Sequence, residues 1–395
     1  MAGSLVLVAN PGSASRKYAL YDGGRLRGSL HLEWQAGKVV CTVQSGDTAT
    51  HEVPIQLDRL EHAASALPKL LRQQTLLARD ERLAGIGVRV VAPGAYFLED
   101  RIMDEACLAQ LEAALPRAPL HIAATLAELR AVRRQFPDVP LAGVSDSAFH
   151  ITKPDYAWNY GIRLEDADEL DIKRFGYHGL SAASVVHQLR QAEKLPPKII
   201  ICHLGSGASV TAVHGGRGID TTMGYSPLEG VIMSTRSGSI DPTAVRALAD
   251  ARHLDAAAAE TYLNQHGGLA GLGGSPDIRE LLQREANGDH RARLALNTYV
   301  FSVQKAVGSM AAALGGADAL VFTGTVGERS APIRRSVVSR LHYLDFILDE
   351  HINTACSAPP QLAVIGRLAH SKPVYVLPAH EGAEMARRTR QLLAL

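Results

Sequence analysis

Two serines and a lysine follow an asparagine at the end of an apolar run, in Asn10-Pro11-Gly12-Ser13-Ala14-Ser15-Arg16-Lys17. Leu5 to Val8 reads as a short buried strand, and Pro11 and Gly12 break it. A plain hairpin needs only Asn-Gly or Gly-Asn. The hydroxyls of Ser13 and Ser15 and the ammonium of Lys17 are more donors than a chain reversal requires. Two further glycine-rich turns end apolar runs, Gly205-Ser206-Gly207-Ala208-Ser209 and Gly324-Thr325-Val326-Gly327-Glu328. Backbone N–H groups in such turns approach phosphate oxygens closely, because no side chain intervenes. Ligands of α/β proteins gather at the C-terminal ends of strands, where all three turns lie. None is a Gly-x-x-x-x-Gly-Lys-Ser/Thr loop or a Gly-x-Gly-x-x-Gly fingerprint.

Other residues could work on an anion. Arg89 ends an apolar strand, and Arg236 sits in the Gly/Ser-rich Ser-Thr-Arg-Ser-Gly-Ser. A guanidinium binds carboxylate or phosphate bidentately, but an arginine at a strand end is as readily a structural ion pair. His178 lies between glycines in Gly-Tyr-His-Gly, where a polar loop residue is the plainer reading, and His203 opens the second turn. Asp146 ends a strand and Glu381 lies far on in the chain; isolated carboxylates are usually solvated. Asp277-Ile278-Arg279 reads as a helix start, with Asp277 as the cap.

Strands and helices alternate around these residues. The chain to about Gln56 reads as strands and hairpins, with Gly23-Gly24 as a turn. Periodicity predicts a helix from Asp58 to Ala78, a buried strand in Leu83–Val91 and helices over Asp104–Leu115 and Ala123–Gln135. A strand ending at Asp146 follows. The second half then starts over: Lys198 to Asp220 repeats the opening order of strand, Gly-Ser turn, strand, Gly-Gly hairpin, strand. A long helix from Arg291 to Leu314 and a strand into Gly324 follow. Interleaved strands and helices give an α/β class, and two similar halves suggest two related domains.

Composition narrows the partners. The 395 residues are 46% hydrophobic and 21% charged, ordinary for a globular chain of one large or two smaller domains. The formal charge of +1 offers no global field for nucleic acid or an acidic membrane. Four scattered cysteines, Cys41, Cys107, Cys202 and Cys356, show no metal spacing and read as reduced thiols of a cytoplasmic protein. The N-terminus lacks a signal-peptide pattern, and no apolar run is long enough to span a bilayer.

Taken together, these motifs resemble the acetate kinase family. Asn-Pro-Gly-Ser-Ala-Ser-Arg-Lys is similar to the family's Asn-x-Gly-Ser-Ser-Ser-x-Lys, and VRVVAPG to its His-Arg-Val-Val-His-Gly-Gly. APLH, DSAFH, RFGYHGLS, HLGSGASV, IDTTMGYSPLEGVIMSTRSGSIDP, DIRELL, VFTGTVGE and PAHEGAEMARRT follow in family order across nearly the whole chain. The resemblance implies two duplicated ribonuclease H-like domains, of the actin, Hsp70 and sugar-kinase type, around a central nucleotide cleft. Residues 1–147 plus 381–395 would form an acyl- and metal-binding domain and residues 148–380 a nucleotide-binding domain. The implied reaction is reversible in-line transfer of the ATP γ-phosphoryl group to acetate in a cytoplasmic homodimer. The acceptor is already anionic, so positioning and charge stabilisation suffice and no strong base is needed.

By family position Arg89, His121, Asp146, His178 and Arg236 would be catalytic. Asn10, Ser13, Ser15, Lys17, His203, Gly205, Ser206, Gly207, Asp277, Ile278, Arg279, Gly324, Gly327 and Glu328 would meet phosphate or nucleotide. Val91, Leu120, Tyr177 and Pro227 would wall the acyl pocket, with core as their plainer reading. Asp146 and Glu381 would lie together at Mg²⁺ or Mn²⁺, with Asn10 and Glu381 as its ligands. The chain departs from the family at Ile122-Ala123, Ala92-Pro93, Ser206, Ser239, Arg329, Ala379-His380 and Tyr177. Arg329 and Ser206 raise the alternative of another phosphoryl donor, and Tyr177 that of a more polar acid. Propionate or another short acid is an alternative acceptor, and a non-catalytic nucleotide-binding relative is the alternative of a different class.

Overall fold

The computed structural model describes residues 5–12, 15–35, 37–46, 50–367 and 369–395, with the side chains of Leu120 and His121 outside the description. The chain divides into two compact units, Met1–Ala148 with His380–Leu395, and Phe149–Ala379. No described helix is long and apolar enough to cross a membrane.

In the first unit the strands are β1 (Leu5–Pro11), β2 (Ser15–Asp22), β3 (Arg25–Gln35), β4 (Lys38–Ser45), β5 (His51–Val53), β6 (Leu83–Val90), β7 (Arg101–Ile102) and β8 (Leu141–Ser145). They form one sheet in the order β5-β4-β3-β2-β1-β6-β8-β7. β1, β6 and β8 run parallel, and the flanking strands are antiparallel. Parallel strands must be covered on both faces, which is why β1 and β8 read as continuous apolar runs.

The two faces of β6 follow from its period of two. Ile86, Val88 and Val90 join the core cluster that includes Leu126, Leu129 and Val132 of helix Pro119–Gln135. Gly85 and Gly87 face helix Glu381–Leu393 instead. A Cβ on Gly85 would stand 2.6 Å from Leu393 Cδ1, and one on Gly87 would collide with Thr389. The two glycines let this helix lie directly on the strand. Arg89 is next on the same face, where the helix begins with Glu381.

The second unit carries β9 (Lys198–Leu204), β10 (Ala208–His214), β11 (Arg217–Thr221), β12 (Ala319–Thr323), β13 (Ala363–Val364) and β14 (Val374–Val376), in the order β11-β10-β9-β12-β14-β13. Six strands therefore repeat one for one: β1, β2, β3, β6, β7 and β8 correspond to β9, β10, β11, β12, β13 and β14, with matching directions. The α/β class and the duplication expected from the sequence are both present. Each repeat is followed by a helix that belongs to the other unit: Gly179–Gln191 packs on β9, and Glu381–Leu393 packs on β1, β6 and β8.

Some local expectations change. The helix expected over Asp58–Ala78 is a short 3₁₀ turn, Leu60–His62, and helix Ala63–Gln73; it stops where Thr75 takes a positive φ of 53°. The helix expected from Ala123 begins at Pro119, whose missing N–H costs nothing in a first turn. Gly324–Glu328, read above as a turn, lies in a short helix, Gly324–Arg329. Its start depends on Gly324, at φ +78°, where a Cβ would stand 2.7 Å from the Leu204 carbonyl oxygen.

The end of that short helix depends on Arg334, a fully buried side chain. Its Nη1 donates to the carbonyls of Gly327 (2.9 Å) and Glu328 (3.1 Å), and its Nη2 to those of Asn353 (2.9 Å) and Cys356 (2.7 Å). Nε donates to Asn353 Oδ1 at 2.8 Å. Burial lowers its pKa, yet a guanidinium stays charged at neutral pH. Replacing Arg334 by Leu strands these buried acceptors, so the unfolding free energy should fall by about 3–5 kcal/mol in urea titration. A loss below about 1 kcal/mol would show that water or backbone shifts replace the guanidinium.

Candidate active site

Four of the expected residues meet at the ends of β1, β6 and β8 and at the start of helix Glu381–Leu393. Arg89 Nη2 donates to Asp146 Oδ2 at 2.8 Å and Nη1 to Asn10 Oδ1 at 3.3 Å. Arg89 Nη1 also lies 3.8 Å from Glu381 Oε2, to which Asn10 Nδ2 donates at 3.4 Å. Asp146 is fully buried, whereas the side chains of Arg89 and Glu381 are 17% and 18% exposed. Burial pulls the Arg89 pKa down, but the charges of Asp146 and Glu381 outweigh it, and the net shift is upward. The guanidinium is thus permanently charged and held from two sides.

This set suits a hard cation only in part. No cluster of three or more His, Cys, Asp or Glu groups forms a metal cage among the described residues. Two carboxylates and an amide oxygen fit an ion such as Mg²⁺, which keeps several waters and takes further oxygens from substrate phosphate.

In the second unit the register of β9 places another set. Ile199 and Ile201 join Ala182, Val185, Val186 and Leu189 of helix Gly179–Gln191 in one core. His203 is next on that face, and its Nδ1 lies 2.8 Å from Ser181 Oγ in the first turn of the helix. His178 immediately precedes the helix with a positive φ of 57°, and its ring packs on His203 with centroids 4.2 Å apart. His178 Nδ1 lies 3.0 Å from Ser209 Oγ. In the tautomer whose Nδ1 accepts from that hydroxyl, Nε2 carries the proton and is a donor.

Gly207 is the point on which these donors converge. A Cβ added there would stand 3.0 Å from His178 Nε2 and 3.6 Å from Arg236 Nη1. The turn is closed by Gly205 N–H donating to the Gly207 carbonyl at 2.9 Å. Ser206 is exposed, and its carbonyl accepts from Ser234 N–H at 3.1 Å, which ties the Arg236 loop to the turn. Arg236 Nη1 donates to the Pro227 carbonyl at 3.0 Å.

The Pro227 loop is fastened by residues the sequence reading did not single out. Arg174 Nη1 donates to Glu229 Oε1 at 2.8 Å, and Tyr160 Oη donates to Glu229 Oε2. Tyr225 N–H donates to Tyr160 Oη at 2.8 Å. Glu229 falls inside a motif quoted for its likeness alone, and nothing in its own sequence neighbourhood names its partners, some 55 and 69 positions away. Tyr177 is buried and donates its hydroxyl to the Tyr225 carbonyl at 2.7 Å, so that hydroxyl serves the same loop.

The remaining expected residues are more dispersed. Ser15 is half-buried and Lys17 exposed at the start of β2, while Ser13 lies outside the described residues. Leu120 and His121 are in the first turn of helix Pro119–Gln135, with side chains outside the description. Val91 is half-buried just after β6. Asp277 caps helix Ile278–Ala286 and pairs with Arg279 (Nη2–Oδ2 2.6 Å), which is exposed, while Ile278 is buried. Gly327 is buried in helix Gly324–Arg329, and Glu328 Oε1 accepts from Ala379 N–H at 3.0 Å. Arg329 is exposed at the end of that helix.

Comparison with known proteins gives this arrangement a context. The acetate kinase of Streptomyces coelicolor is 38% identical over 403 residues, spanning 100% of this chain and 98% of its own length. That of Carboxydothermus hydrogenoformans is 34% identical over 397 residues, spanning 98% and 99%. Among solved structures, a propionate kinase from Francisella tularensis superposes with a TM-score of 0.89 at 31% identity, covering 98% of this chain and 100% of its own. Porphyromonas gingivalis acetate kinase gives 0.86 at 30%, covering 99% and 100%. Residues 5–387 match the Acetokinase family model, and with Arg89, Asp146, His178 and Arg236 placed as described, the chain belongs to the acetokinase family.

Proposed function

We propose that this chain reversibly transfers the γ-phosphoryl group of ATP to the carboxylate of acetate, giving acetyl phosphate and ADP. A carboxylate oxygen forms the new bond to Pγ as the bond from Pγ to the β-bridging oxygen breaks, and ADP leaves with that electron pair. No proton need move, because the nucleophile is already an anion. The observation that carries the reading is the convergence of His178 Nε2 and Arg236 Nη1 on Gly207, whose missing Cβ leaves room for an anionic oxygen. Preorganised donors of this kind stabilise charge on a transferring group without reorganising.

Arg89, oriented by Asp146, binds an anionic group of the substrates. Asn10 and Glu381 would hold Mg²⁺ or Mn²⁺, which would supply neutralisation of phosphate charge. Ser13, Ser15 and Lys17 meet phosphate oxygens at the first turn, and Gly205, Ser206 and Gly207 at the second. His121 and His203 support the donors, while Asp277, Ile278, Arg279, Gly324, Gly327 and Glu328 take the nucleoside end. Val91, Leu120, Tyr177 and Pro227 face the acyl group. One extra methylene is worth only about 1–3 kcal/mol, so propionate is the close alternative acceptor. A cytoplasmic location, supported by the free cysteines, and a homodimer complete the reading.

Acyl phosphate trapped as hydroxamate tests it, with acetate, propionate and butyrate against ATP, GTP and pyrophosphate. Turnover of acetate with ATP is expected, and Arg236→Ala should lower kcat roughly 100- to 1,000-fold with the fold intact. Absence of acyl phosphate with every acid and donor would overturn the kinase reading. Gly207→Ala should cost at least about tenfold in kcat by pushing His178 aside, while Tm moves by only a few degrees. Unchanged kcat in that variant would remove Gly207 from the donor site. Chelation should abolish turnover, and Glu381→Ala should raise the Mg²⁺ needed for half-maximal rate roughly tenfold or more; an unchanged requirement would place the ion elsewhere.

A further inference from the structure

One buried charge lies outside the roles assigned so far. Arg16 follows the turn at the start of β2, on the strand face that also carries Tyr18 and Leu20. All three are buried, so the guanidinium occupies a position where the period of two calls for an apolar residue. The family's Asn-x-Gly-Ser-Ser-Ser-x-Lys leaves this position open. The side chains of Arg16 and Glu128 are only 4% and 2% exposed, with Nε 3.2 Å from Oε2. Tyr18, on the same face, donates its hydroxyl to Glu128 Oε1 at 2.7 Å. Glu128 therefore has a partner on each oxygen. Burial pushes its pKa up, and the Tyr18 hydrogen bond and the Arg16 charge pull the other way.

The other end of the guanidinium reaches the turn. Arg16 Nη1 donates to the Gly12 carbonyl, and also to that of Ser15 at 3.2 Å. The turn itself is closed by Gly12 N–H donating to the Ser15 carbonyl at 2.9 Å. Glu128 stands on helix Pro119–Gln135, whose first turn carries Leu120 and His121. One buried side chain thus spans from the core helix to the two carbonyls that bracket residues 13 and 14.

We propose that Arg16 is a positioning residue, which through its buried contact with Glu128 fixes the Gly12 and Ser15 carbonyls, and with them the end of β1 and the start of β2, where the phosphate of the nucleotide is received. The inference rests on the reading of that turn as a phosphate site. Nε faces the Glu128 carboxylate while Nη1 serves both carbonyls, and the single ammonium of a lysine cannot occupy both places. Groups fixed before binding spare the ligand the cost of fixing them. Replacing both members of a buried ion pair with apolar residues of similar volume is often neutral or stabilising, so the double variant is expected to fold.

The test uses the full-length chain and the double variant R16M/E128M, with R16K beside it. Three quantities are read: Tm, hydrogen exchange of the amides between residues 12 and 18, and KM for Mg-ATP alongside KM for acetate. In the double variant Tm should stay within a few degrees, the turn amides should exchange faster, and KM for Mg-ATP should rise roughly tenfold while KM for acetate holds. R16K keeps the charge facing Glu128 and should show the same rise in smaller measure. Turn exchange and KM for Mg-ATP both unchanged would overturn the proposal. So would faster exchange with an unchanged KM, or an R16K variant identical to wild type when the double variant fails to fold. Should wild type make no acyl phosphate, the kinase reading falls by itself; calorimetric binding of Mg-ATP then replaces KM and decides the role of Arg16.

Discussion

A guanidinium near the end of an interior strand must find negative charge or remain in water, and Arg89 finds it from two distant parts of the chain. Asp146 comes from the neighbouring parallel strand and Glu381 from a helix that begins 292 positions later by number, 381 − 89. Breaking a buried pair by removing one partner is costly, so the register of β6 and β8 and the seat of the C-terminal helix are tied to one another. Gly85 and Gly87 are part of the same constraint. Without them helix Glu381–Leu393 could not lie close enough for its first residue to reach Arg89.

Duplication supplies the same frame twice, and the chemistry at the strand ends differs. In the first unit the ends of the parallel strands present Asn10, Arg89 and Asp146, which with Glu381 set two carboxylates and an amide around one guanidinium. In the second, β9 ends in His203 and the Gly205–Gly207 turn, and His178 with Arg236 makes the set donor-rich. The scaffold decides that functional groups collect at these ends; the residues decide what they can do there.

Loops at such ends have few backbone hydrogen bonds of their own, and this chain holds several of them with long side chains. Arg334 gathers four carbonyls beneath helix Gly324–Arg329. Glu229 grips Tyr160 and Arg174 and so fixes the loop whose Pro227 carbonyl takes a bond from Arg236. Arg16 donates likewise to the Gly12 and Ser15 carbonyls. Each limits the freedom of a backbone segment that ends or follows a strand.

The alternation of apolar strands and helices and the repeat in Lys198–Asp220 determined the α/β class and the duplication, because hydrophobic period and turn chemistry are local properties. The motifs also sufficed to nominate Arg89, Asp146, His178, Arg236 and Glu381. Local signals were poorer at element ends. Residues 324–328 carried glycines enough for a turn, yet they form a helix whose last carbonyls are taken by Arg334, and that contact is invisible in the segment itself. Only the tertiary structure decided which carboxylates share Arg89, that His178 stacks on His203, and that Arg16, Arg334 and Glu229 hold loops rather than water. These facts depend on pairings across tens to hundreds of positions, set by strand register and burial, and a charged residue in sequence carries no mark of the partner that burial will force on it.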